Sequence, residues 1–193
     1  MSGNIPPEDA IFDANYPSYF RSISAVHWTP IKVIAESVKW LESKNAVHIL
    51  DIGSGVGKFC LYGCVISDLL FTGVEIRKNL VEISNQVAHK LGLSQVNFLC
   101  QNITEIEFTP FNAAYFYNPF CEQEAISGQI DDSLTVGMDV LTAYETHVFQ
   151  QLENAPVGFL FITYGSPHFQ PPSCYAVQEI LMQNELVFWK RVK

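Results

Sequence analysis

Apolar positions along the chain recur with two periods. Ile31, Ile34, Ala35, Val38 and Leu41 fall at helical spacing behind Thr29-Pro30, which places Thr29 as the N-cap and Pro30 as the first helical residue. Residues 46 to 52 form an apolar run that enters a turn carrying Gly53, Gly55 and Gly57, and Phe59, Tyr62, Val65, Ile66 and Leu69 mark a helix beyond it. Residues 70 to 75 predict a second strand, and Leu80, Ile83, Val87 and Leu91 a helix that Gly92 can end. Residues 96 to 101 and 113 to 117 predict a third and a fourth strand. Asp131, Asp132 and Ser133 are start signals for a long helix whose buried face is Leu134, Met138, Leu141, Tyr144, Val148 and Leu152, and Asn154-Ala155-Pro156 stops it. Residues 158 to 164 are apolar almost throughout, as a central strand should be. At the end of the chain, residues 175 to 182 and 186 to 192 suit a hairpin around Gln183-Asn184, although Ala176 to Met182 also suits a helix. Strands alternating with helices in this way predict right-handed βαβ units in a mostly parallel sheet.

Residues 1 to 28 do not join that alternation. Their aromatics Phe12, Tyr16, Tyr19, Phe20 and Trp28 show no sustained period, which predicts an irregular arm or cap on a domain spanning residues 29 to 193. Length allows one domain with a sizeable core: the chain has 193 residues and 48% hydrophobic content. The net charge of -9 argues against a surface that tracks nucleic-acid phosphates. Cys60, Cys64, Cys100, Cys121 and Cys174 form no CxxC pair, and three of them lie in apolar runs, as reduced core cysteines do; a cytoplasmic setting fits. Cys60 and Cys64 share a helix face, but no further Cys or His follows with ligand spacing, so packing is expected there and no metal. Residues 1 to 10 lack the basic and apolar regions of a secretory signal, and no apolar run is long enough to span a membrane.

The chemistry concentrates at the glycine turn. Glycines let the backbone adopt positive φ and bring amide groups close to a ligand, while the helix that follows presents unpaired N–H donors. A dinucleotide fingerprint needs G-x-G-x-x-G, but here the third glycine falls at 57 and Lys58 takes its place, which argues against a nicotinamide cofactor. Asp51, just before the glycines, would repel a pyrophosphate and suits an amino group. Ligands of open parallel sheets bind beyond the carboxyl ends of the strands, where this chain places Asp51, Glu75, Asn102 and Asn118 at the ends of strands one to four.

Asp51-Ile52-Gly53-Ser54-Gly55-Val56-Gly57 resembles the first motif of class I S-adenosylmethionine-dependent methyltransferases, and Gly73-Val74-Glu75 resembles their second. The resemblance implies a three-layer Rossmann-like fold with a mostly parallel seven-stranded sheet and a C-terminal antiparallel hairpin. It implies S-adenosylmethionine as cofactor, with Asp51, Gly53, Ser54, Gly55 and Gly57 around its methionine part and Glu75, followed by Ile76, at the ribose hydroxyls. Asn102 stands where the family often has an Asp that accepts from the adenine amino group, and Ile103 would pack on the adenine face. Asn118 completes the cofactor set.

Tyr117-Asn118-Pro119-Phe120 occupies the position of the family's substrate motif. Enzymes that methylate N6-adenine or glutamine amides carry Asn-Pro-Pro-Tyr there; Phe120 and Cys121 replace its second proline and aromatic, so amino-nitrogen methylation of nucleic acid or glutamine is a lesser expectation. The two motifs also resemble those of non-SET protein-lysine methyltransferases. The expected activity is methyl transfer to a small molecule or a protein side chain, lysine included. A non-catalytic cofactor- or partner-binding module is the alternative. Tyr117, Asn118 and Tyr164 are candidates to line an acceptor pocket, and His27 is the histidine closest in sequence to the helix that precedes the first motif. Oligomeric state is not readable from the sequence.

Overall fold

A computed structural model describes residues 7–21, 27–119 and 138–193. The expected helix start at Asp131 to Ser133, and Phe120 and Cys121 of the expected acceptor motif, lie outside the described residues.

The order of elements is α1 (Pro7–Asp13), α2 (Ser18–Arg21), α3 (Ile31–Ser43), β1 (His48–Ile52), α4 (Lys58–Ile66), β2 (Leu70–Glu75), α5 (Lys78–Leu91), β3 (Val96–Cys100), β4 (Ala113–Phe116), α6 (Met138–Asn154), β5 (Leu160–Tyr164), β6 (Tyr175–Leu181) and β7 (Leu186–Arg191). The strands form one seven-stranded sheet in the order β3-β2-β1-β4-β5-β7-β6. β1 to β5 run parallel, while β7 is antiparallel to both β5 and β6. The C-terminal segment is therefore a hairpin, and the helical option for 176 to 182 does not occur. Its turn holds Met182, Gln183 and Asn184 at positive φ.

Alternation along the strands assigns each residue to one of two cores. Ile49, Phe71, Tyr115 and Ile162 face α3, α4 and α5; Leu50, Ile52, Val74, Phe116 and Phe161 face α6 and the segment from Ile103 to Phe111. Both faces are covered, which is why the inner strands read as continuous apolar runs. Helix α5 ends at Gly92, in the left-handed conformation at φ 66, as its sequence position suggests.

Two N-terminal expectations change. The arm is helical over α1 and α2, with Phe12 and Tyr16 buried in the core on the α3–α5 side. Thr29 does not cap α3: Pro30 occupies the cap position and the Thr29 hydroxyl hydrogen-bonds the Tyr115 hydroxyl at 3.1 Å. The cap comes from the arm, because the Asp9 carboxylate accepts from the Ile31 N–H at 3.0 Å, across 22 positions of sequence.

Chain direction along the sheet reverses between β1 and β4. The chain steps outward from β1 through β2 to β3 and then returns to the other side of β1, so the loops after β1 and β4 leave in opposite directions and open a crevice at the strand carboxyl ends.

Candidate active site

The crevice holds a cavity of about 350 Å³, within the size range of small-molecule sites. The glycine turn, the ends of β1, β2, β4 and β5, the arm and the turn before β7 all contribute to it. Gly53, Gly55 and Gly57 have φ of 69, 55 and 76. At Gly53 the requirement is double, because a Cβ would also collide with the Cβ of Pro119. The Ser54 N–H donates to the Val74 carbonyl at 2.9 Å, which ties the turn to the end of β2.

Glu75 is buried at the end of β2 and braces the turn from the other side. One carboxylate oxygen accepts from the Gly55 N–H at 3.1 Å and the other from the Arg77 N–H at 2.9 Å, with the Arg77 guanidinium 3.7 Å away. A carboxylate offers about four lone-pair sites, a number that suits it to ligand hydroxyls. Asp51 is buried in the same wall and accepts from the Cys60 thiol at 3.3 Å. Burial pushes the Asp51 carboxyl up to about 7; the thiol hydrogen bond opposes that shift and the Glu75 charge adds to it. The Ser54 hydroxyl is buried in the cavity wall and has no hydrogen-bond partner among the described residues. A turn closed to a side chain at Gly53, two buried carboxylates and an orphaned hydroxyl suit a ligand with an amino-acid end and a hydroxylated ring.

The remaining expected residues divide. Tyr117, Asn118 and Pro119 line the cavity, with Asn118 at φ 34 and its N–H held by the Ser166 hydroxyl at 2.7 Å. Asn102, Ile103 and Ile76 are not among its lining residues. Asn102 instead caps the 3₁₀ turn Ile103–Glu105: its amide oxygen accepts from the Thr104 N–H and hydroxyl, at 3.0 and 2.9 Å. Ile103 is buried in the core on the α6 side.

Several lining residues carry no sequence signal. Phe20, Trp28 and Thr29 arrive with the arm, next to the expected candidate His27. Lys58, directly after the turn, is buried and pairs with Asp9 at 2.6 Å and Asp13 at 2.8 Å, with its ammonium 5.7 Å from the Trp28 ring centroid. Asp9 and Asp13 are four apart on one helical face, a spacing that signals a shared direction but not a partner 45 or more positions away. Tyr115 stacks on Phe59 at 3.7 Å, and Tyr164, Gly165 and Glu185 close the far side.

The sequence model of the methyltransferase domain family matches residues 43–156, more than half of the chain, and the protein belongs to that family. Among curated proteins, the chain is 28% identical over 96 residues to a 23S rRNA (uracil(747)-C(5))-methyltransferase of Escherichia fergusonii, covering 48% of this chain and 25% of the relative. It is 51% identical over 55 residues to a tRNA (guanine-N(7)-)-methyltransferase of a Synechococcus species, covering 28% of this chain and 23% of the relative. The chain thus spans about a quarter of the length of these relatives. Among solved structures, an RNA methyltransferase of Salinibacter ruber in complex with S-adenosylhomocysteine aligns with a TM-score of 0.59 at 14% identity, covering 86% of this chain and 94% of that one; this likeness shows the fold. The chain therefore carries a methyltransferase domain with a Rossmann-like fold. The names of the relatives leave nucleic acid open as an acceptor, which net charge alone had argued against. Among the described residues no helix is long and apolar enough to cross a membrane.

Proposed function

We propose that the strand-end cavity binds S-adenosylmethionine and that the acceptor is a small molecule or a protein side chain. The observation that carries this reading is the buried Glu75 carboxylate, held toward the cavity by two backbone N–H groups beside the buried Asp51. When bound, the cofactor supplies a methyl group made electrophilic by its sulfonium. In this reading Glu75 accepts from the ribose hydroxyls, Asp51 takes the amino group, and Gly53, Ser54, Gly55 and Gly57 follow the methionine part. Asn102 and Ile103, with Ile76, are assigned to the adenine side, beyond the lining of the cavity. Tyr117, Asn118 and Pro119 border the acceptor. Positioning of the acceptor nitrogen, oxygen or carbon in line with the methyl group supplies much of the rate for such a displacement. A reducing compartment such as the cytoplasm suits the Cys60 thiol that bonds Asp51.

Calorimetry with S-adenosylhomocysteine tests the binding half. Saturable binding that weakens about 10- to 100-fold in Glu75→Ala is expected, in line with the loss of hydrogen bonds to a charged group. Undiminished affinity in a folded Glu75→Ala protein contradicts the assignment. Transfer of labelled methyl to an acceptor fraction tests the catalytic half; binding without transfer to any fraction supports a non-catalytic module. A second reading, an RNA acceptor, draws on the names of the relatives and predicts that the label enters RNA.

A further inference from the structure

Part of the cavity lining is built from groups that the cofactor reading leaves unused. Tyr117 follows β4 and Tyr164 ends β5, with ring centroids 4.8 Å apart at 46°. Glu185 stands at the rim, in the turn before β7. Their spacing is fixed by backbone: the Gly165 N–H donates to the Glu185 carbonyl at 3.0 Å, and a Cβ on Gly165 would lie 3.0 Å from the Tyr117 ring.

The electrostatics of this wall have one sign. After burial itself, the Glu185 charge is what raises the Tyr164 pKa, and Asp51, Tyr117 and Tyr164 all act to raise that of Tyr115, so phenol oxygens and carboxylates share one region. The two cations of the lining are committed elsewhere, Lys58 to Asp9 and Asp13 and Arg77 to Glu75. Glu185 has no ion-pair partner among the described residues.

We infer that the acceptor is an aliphatic amine that arrives as an ammonium ion and seats against the Tyr117–Tyr164 pair with Glu185 as its counter-charge. The inference rests on the cofactor reading above and adds the class of acceptor. Aromatic faces beside a carboxylate attract a cation, and an alkyl stem packs along the rings. A phosphate backbone would meet a field of its own sign without a free cation in the lining to offset it. The ammonium gives one proton to water; the nitrogen lone pair then forms the bond to the methyl carbon as the carbon–sulfur bond breaks, and that electron pair remains on the now neutral sulfur. The product leaves as the methylated ammonium.

The test uses the full chain loaded with S-adenosylhomocysteine. The probes are N-acetyl-lysine methylamide, standing for a protein side chain, cadaverine, standing for a free amine, and N-acetyl-norleucine methylamide, the uncharged counterpart of the first. Tyrosine ring signals in NMR report occupancy. At least one amine should shift them saturably, with about tenfold higher affinity than the norleucine probe, and Glu185→Gln should reduce that preference about threefold or more. The amine that binds more tightly identifies the source. No saturable shift by either amine, neither amine binding more tightly than the norleucine probe, or, in a parallel reaction of the unloaded protein with methyl-labelled S-adenosylmethionine, label entering an RNA oligonucleotide and neither amine would overturn the inference. Failure of S-adenosylhomocysteine to bind at all is a separate result, which overturns the cofactor reading on which it depends.

Discussion

Cofactor affinity should depend on pH through Asp51, and in the direction opposite to stability. Burial holds this carboxyl at about 7, far above its ordinary value of 3.8. If the ionised form receives the cofactor amino group, its population falls from about nine-tenths at about pH 8 to about one-tenth at about pH 6, a tenfold loss of affinity or about 1.4 kcal/mol. The contribution of Asp51 to the stability of the free protein runs the other way. Between the unfolded and folded pKa values the folded state holds a proton that the unfolded chain has released, so this contribution is greatest below about 4, falls as pH rises, and levels off above about 7. The full difference is about 4 kcal/mol as an upper value, since water reaching the site would reduce it.

The assay is calorimetric titration with S-adenosylhomocysteine across this range, in two buffers of different ionisation enthalpy so that released protons are counted. Asp51→Asn under the same conditions cancels the titration of the ligand. The wild-type protein should release a proton on binding at acidic pH and lose affinity there; Asp51→Asn should bind weakly at every pH and be the more stable protein above about pH 7. Cys60→Ala removes the thiol donor that favours the carboxylate and should move the midpoint upward. Equal pH slopes in the wild-type and Asp51→Asn proteins would exclude Asp51 as the group that titrates.

Further substitutions at Lys58 and in the glycine turn probe how the cavity is built. Lys58→Met removes the counter-charge of the buried Asp9 and Asp13 and should cost about 3–5 kcal/mol in urea denaturation, with much of the loss regained by adding Asp9→Asn and Asp13→Asn; no recovery would assign the loss to packing against Trp28. Gly53→Ala meets both an unfavourable φ and the Pro119 side chain and should cost about 2–4 kcal/mol, whereas Gly55→Ala, with open space at its Cβ position, should cost about 1–2 kcal/mol; equal melting temperatures for the two variants would contradict the predicted collision.

Much of this architecture is legible in the sequence because the sheet is covered on both faces. Its inner strands become short apolar runs, its helices keep one apolar stripe, and the glycine turn lies where the chain must bend sharply between them. The positions of Asp51, Glu75 and Asn118 follow from the carboxyl ends of those strands. Asn102, which the same logic places after β3, also caps a 3₁₀ turn through the Thr104 N–H, a role that its position after a strand does not announce. The arm was not legible as structure because α1 and α2 are too short to show a period. Their docking depends on Lys58 meeting Asp9 and Asp13, and on Asp9 capping α3, contacts between distant positions that no local pattern encodes. Glu185 likewise enters the site only because β7 folds back antiparallel beside β5.

A crystal structure of the protein with S-adenosylhomocysteine would show where the cofactor lies. Both ribose hydroxyls are expected on the Glu75 carboxylate, the amino-acid end along Gly53 to Gly55 with its amino group toward Asp51, and the sulfur facing Tyr117, Asn118 and Tyr164. A ligand bound away from the ends of β1 and β2, or one seated there without contact to Glu75, would contradict this placement.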